Sequence, residues 1–81
     1  MRQTVLAELV ANVLSVVAAP GDLVQPGDTL VVLESMKMEI PVLAEVSGRV
    51  AEIAVTEGDV ITEGDTIAII DLSPATSGRT S

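Results

Sequence analysis

Apolar residues in this chain come in short runs cut by turn residues, a spacing that suits strands better than helices. Thr29 to Leu33 and Thr66 to Ile70 are rich in β-branched and aliphatic side chains, and each directly follows a Gly-Asp pair. Gly-Asp occurs four times, at 21–22, 27–28, 58–59 and 64–65. Glycine reaches positive φ and aspartate can bond its own neighbouring backbone, so each pair predicts a turn. Thr4 to Val17 admits a second reading, an amphipathic helix with Val5, Leu9 and Val13 at i, i+4 and i+8.

A displacement of the chain by 37 positions decides between the two. It lays Val5-Leu6-Ala7-Glu8 on Val42-Leu43-Ala44-Glu45, Gly21-Asp22 on Gly58-Asp59 and Gly27-Asp28-Thr29 on Gly64-Asp65-Thr66. Leu30, Val32, Leu33 and Glu34 fall on Ile67, Ile69, Ile70 and Asp71, all conservative matches. The partner of Thr4 to Val17 carries Gly48 and ends in a β-branched run, and both copies should share one structure, so both are read as strands. A unit of about thirty residues cannot cover its own apolar face, so the copies are expected to pack around a pseudo-two-fold axis. Four short strands per copy predict an all-β fold, a flattened barrel or sandwich of about eight strands in two related halves. The domain is expected to span residues 1–72. The segment 73–81 has no apolar periodicity and is expected to be a disordered tail or linker.

Composition agrees with one small aliphatic domain. Val, Ile and Leu supply a third of the 81 residues, while Phe, Tyr and Trp are absent, a mixture that favours sheet. Twelve carboxylates against four cations leave a net charge of −8, which argues against binding the nucleic-acid backbone. Without Cys, His or Tyr, and with its carboxylates spread over turns, the chain offers no nucleophile and base pair, so it is not expected to be an enzyme or to hold a metal. Residues 1–19 superficially resemble a secretory signal, but Glu8 and Asn12 interrupt the apolar run and the repeat gives the segment another role. No run approaches the roughly 18 to 20 apolar residues of a membrane span. A cytoplasmic protein without a membrane partner is expected.

Candidate chemistry converges on Lys37, the single lysine, set in Glu34-Ser35-Met36-Lys37-Met38-Glu39 between the two copies. If Leu30 to Glu34 and Glu39 to Leu43 are adjacent antiparallel strands, Met36 and Lys37 lie near the apex of a tight hairpin. An ordinary lysine amine has a pKa of about 10.4, so roughly one in a few thousand is neutral at pH 7. Acylation would need an enzyme that activates the donor and deprotonates the amine; the carrier supplies shape and access. Blander readings exist for each residue. A lone lysine is usually a solvated surface group, and methionines are usually core fillers. The Gly-Asp pairs are better explained by turn geometry than by a hard cation. Glu34 and Glu39 suit solubility and recognition by a modifying enzyme better than acid–base work.

The motif Glu34 to Glu39 resembles the biotinylation motif of the biotinyl domains, that is, the biotin carboxyl carrier proteins and related domains of biotin-dependent carboxylases. Ser47-Gly48-Arg49-Val50 and both Gly-Asp pairs of the second copy extend the resemblance to nearly all of Val5 to Leu72. The chain looks most like the small single-domain biotinylated proteins of actinobacteria. It departs from the family in Ser35, where many members carry Ala, and in Val10-Ala11-Asn12, where a Pro/Gly-containing turn is usual. The extra thumb loop of some bacterial carriers has no counterpart. The resemblance implies covalent biotin on Lys37, flanked by Met36 and Met38, with Glu34, Ser35 and Glu39 read by a biotin protein ligase. It further implies partnership with a biotin carboxylase and a carboxyltransferase, between which the biotin carries an activated carboxyl group. The alternatives are a lipoyl-type carrier, whose family places Asp before the lysine, and an unmodified acidic β interaction module.

Overall fold

The computed structural model describes residues 1–72, all of whose regular structure is β: β1 (Arg2–Leu6), β2 (Ala11–Val16), β3 (Leu23–Val24), β4 (Thr29–Ser35), β5 (Met38–Leu43), β6 (Gly48–Ile53), β7 (Val60–Ile61) and β8 (Thr66–Leu72). The expected tail at 73–81 lies outside the described residues. The segment with a possible helical face divides instead into β1 and β2, and its repeat partner into β5 and β6.

The strands form two antiparallel sheets, ordered β1-β8-β6-β3 and β5-β4-β2-β7. The displacement by 37 converts one order into the other, strand for strand. The two copies therefore interleave more deeply than packing of two preformed units would require: the centre of each sheet comes from one copy and both edges from the other. Among the described residues β1 pairs only with β8 and β5 only with β4, so the fold is a sandwich and not a closed barrel.

Bulges break the in–out alternation at matching places. Leu30 in β4 and Ile67 in β8 are extra residues relative to β5 and β1, and Leu30-Val31 and Ile67-Ala68 are consecutive buried pairs. An inserted residue reverses which face the following side chains take, so two neighbours can both face the core. The core is wholly aliphatic, centred on Leu30, Leu33, Ile67, Ile70, Val31 and Val50, and no polar side chain among the described residues is buried.

The four Gly-Asp pairs are the turns that the sequence predicts. In Ala19-Pro20-Gly21-Asp22 the Asp22 N–H donates to the Ala19 carbonyl at 3.0 Å, and the Asp22 carboxylate accepts the Ala19 N–H at 2.9 Å. Asp28, Asp59 and Asp65 repeat this with Gln25, Thr56 and Thr62. The carboxylates are thus engaged within their own turns. These turns also join the copies: Gly21 N–H donates to the Val50 carbonyl and Gly58 N–H to the Val13 carbonyl, both at 2.8 Å.

Candidate functional site: the β4–β5 hairpin

Only Met36 and Lys37 separate β4 from β5, and Ser35 pairs with Met38 across the closing position. Both loop residues have positive φ, 52° for Met36 and 67° for Lys37, the requirement of a type I′ hairpin turn. That turn usually recruits Asn-Gly, because a side chain in the left-handed region costs about 1 to 2 kcal/mol per residue. Here two long side chains occupy it, and the rest of the hairpin must hold them there.

The result is exposure. Lys37 is exposed, Met36 is 90% exposed and Met38 60%. The reading of the methionines as core fillers is therefore replaced by an apolar surface on both sides of the amine. Lys37 takes part in no ion pair or side-chain hydrogen bond among the described residues, so its ammonium is tethered to neither Glu34 nor Glu39.

Behind the turn, Glu34 lies directly across from Glu39, and Asn12 of β2 lies on the other side of Glu34. A two-residue loop closes on a hydrogen-bonded pair, which makes the next pair non-hydrogen-bonded, with its side chains closer. Two carboxylates face each other there, an arrangement that opposes strand pairing. The six motif residues are all brought to this hairpin, and Asn12 joins them. Asn12 carries no signal in the linear motif; the strand register alone identifies it. The face-to-face placement of Glu34 and Glu39 was readable in principle, since two-residue closure at Met36-Lys37 sets their register.

The pseudo-equivalent row, at the far end of the other sheet, has the opposite character. Arg2, Asp71 and Arg49 occupy the places of Glu39, Glu34 and Asn12, and the Arg2 Nε lies 2.8 Å from an Asp71 carboxylate oxygen. Arg49 also donates to the Gly21 carbonyl at 3.0 Å. No helix long and apolar enough to cross a membrane occurs among the described residues.

The family model described as biotin-requiring enzyme matches residues 2–70. A biotinylated protein TB7.3 homolog of Mycolicibacterium smegmatis is 64% identical over 42 residues, which are 52% of this chain and 59% of that relative. The chain thus spans under two-thirds of the length of the curated relatives it matches. A solved single-chain, multi-domain long-chain acyl-CoA carboxylase superposes with a TM-score of 0.83 at 31% identity, covering 96% of this chain and 8% of that one. The lipoyl domain of the 2-oxoglutarate dehydrogenase complex of Azotobacter vinelandii superposes with a TM-score of 0.68 at 25% identity, covering 83% of this chain and 95% of that domain.

Proposed function

The chain belongs to the biotin-requiring enzyme family, and from that premise we propose that residues 1–72 form a biotin carrier domain whose attachment point is Lys37. The carrying observation is the exposed amine at the tip of a two-residue hairpin, flanked by exposed Met36 and Met38. The residues fit an amide-linked group: among the described residues the amine has no competing partner, and the tight turn ties the attachment point to two strands rather than to a mobile loop.

The role of this chain is presentation. A biotin protein ligase deprotonates Lys37 Nζ and brings it to biotinyl-adenylate; the amide forms and AMP leaves. The methionines offer the ligase an apolar contact, while Glu34, Ser35 and Glu39 supply the polar part of the recognition surface. Biotin, once attached, supplies a ureido ring able to accept a carboxyl group and release it. The hairpin moves that ring between a biotin carboxylase and a carboxyltransferase in the cytoplasm, contributing reach and orientation but no acid, base or nucleophile.

The lipoyl reading shares the fold and the hairpin lysine. The methionines on both sides of Lys37, and the absence of the Asp that lipoyl domains place before their lysine, favour biotin. Intact mass of protein from cells supplied with biotin is the test. One biotin-sized increase is expected, and none in Lys37→Arg; a lipoyl-sized increase would support the other carrier, and no increase would leave an interaction module.

A further inference from the structure

The displacement by 37 lays Thr4 of β1 on Pro41 of β5, and both strands are sheet edges. Pairing at Ser35–Met38 makes the Val32–Pro41 pair non-hydrogen-bonded, so Pro41 points its donor-free nitrogen away from β4. On β1 the Leu72 N–H donates to the Met1 carbonyl at 2.9 Å, which gives β1 the same parity and turns the Thr4 N–H and carbonyl outward. Proline on an outer edge blocks the addition of another strand. Among the described residues, one of two equivalent edges is blocked and the other is left open.

Between these edges runs a groove of about 650 Å³. Leu6 and Leu43 lie on it and are 49% and 43% exposed. Its lining includes Glu8, Glu45 and Glu63 and, among the described residues, no lysine or arginine. We propose that the free edge of β1, with this groove, docks an extended segment of a partner protein that alternates apolar and basic side chains. The segment adds as a strand beside β1, its apolar side chains cover Leu6 and Leu43, and its Lys or Arg groups meet the three carboxylates. A second copy of this chain is disfavoured, because each copy carries a net charge of −8 and brings its own Glu8 to the edge. The inference does not depend on whether Lys37 carries biotin.

The probe is a capped octapeptide of alternating valine and lysine, titrated into the ¹⁵N-labelled full chain beside a valine–glutamate octapeptide. Saturable amide shifts at Arg2 to Leu6 are expected with the lysine peptide only, weakening as salt is raised. Thr4→Pro, which copies Pro41, should weaken binding about tenfold or more while the Ile70 and Leu72 amides keep their exchange protection; Thr4→Ala should bind like the parent. Should Thr4→Pro unfold, the doubly charge-reversed Glu8→Lys, Glu45→Lys chain decides, and it should prefer the glutamate peptide. Equal binding of both peptides, full binding by a folded Thr4→Pro, no change in preference on charge reversal, or self-association through β1 without peptide would each overturn the proposal.

Discussion

At one end of the sandwich β4 runs into β5 through Met36 and Lys37; at the pseudo-equivalent end β8 and β1 lie side by side as the last and first strands of the described fold. The backbone places are the same, yet at one end Arg2 forms an ion pair with Asp71 across β1 and β8, with Arg49 next in the row, whereas at the other Glu39 and Glu34 put two carboxylates face to face beside Asn12. The hairpin end also holds two non-glycine residues in the left-handed region. Duplication supplied one scaffold twice, and the halves diverged where one end takes on display and the other takes on cohesion. The stability lost at the display end falls on the residues closest to Lys37, as expected where local strain serves a site.

The contrast breaks most severely at Gly48, which faces β8 at the cohesive end. A Cβ built there would overlap the Asp71 carbonyl oxygen and lie 2.8 Å from Ile70 Cγ2. At the display end the same place is held by Ala11, 5% exposed. Gly48→Ala is therefore expected to destabilise by about 3 kcal/mol, since backbone must move to admit the methyl. Ala11→Gly should cost only about 0.5 to 1 kcal/mol, the entropy of an added glycine in a strand. Urea unfolding midpoints of the two variants check the ratio; similar losses would mean that the two ends close against β4 and β8 in the same way.

Next in size is the turn. Met36→Asn keeps φ positive with a residue that tolerates it, and should stabilise by about 1 kcal/mol. Biotin incorporation into that variant should slow, because the apolar contact beside Lys37 is lost. A faster-labelled, more stable variant would mean that the strain serves nothing at this site.

The scaffold and the place of Lys37 on it were legible in the sequence; the contrast between the two ends was not. The repeat predicted about eight short strands, four to a copy, and Gly-Asp marked the four turns that bind their own backbone. The position of Lys37 between the copies put it on the connection, and the connection proved to be the hairpin. Less visible were the features that depend on register across strands. Bulges at Leu30 and Ile67 hide in the sequence because each adds one residue without any turn signal, and they shift the burial parity. The left-handed turn was hidden because Met-Lys lacks the Asn-Gly signature. Interleaving of the copies was hidden because a repeat specifies likeness between segments and leaves open which segments share a sheet.

Restoring opposite charge at the display end should reverse part of its cost. Glu39→Arg places at the hairpin the residue type that Arg2 supplies at the other end, removing a like-charge pair and adding an opposite one. A gain of about 0.5 to 1 kcal/mol is expected from a cross-strand pair of this kind. Ligase turnover should fall in the same variant. Thermal unfolding and a labelling time course read the two effects separately.

The finest test uses neutral substitutions at equivalent places. Asp71→Asn removes the charge that Arg2 meets at 2.8 Å, and since these side chains are 61% and 47% exposed the loss should be no more than about 0.5 kcal/mol. Glu34→Gln removes a charge of the same sign from the same position in the other sheet. Its neighbour is Glu39 rather than an arginine, so the change should stabilise, by a similarly small amount. Opposite signs are the point, because any general benefit of lowering a net charge of −8 would move both variants the same way. Both effects should shrink toward zero at about 1 M salt, where the screening length falls to roughly 3 Å. Chemical denaturation at low and high salt measures this directly, using urea because it adds no ions. If Asp71→Asn and Glu34→Gln shift stability in the same direction at low salt, side-chain charge does not distinguish the two ends, and the difference between them rests on the Met36-Lys37 backbone alone.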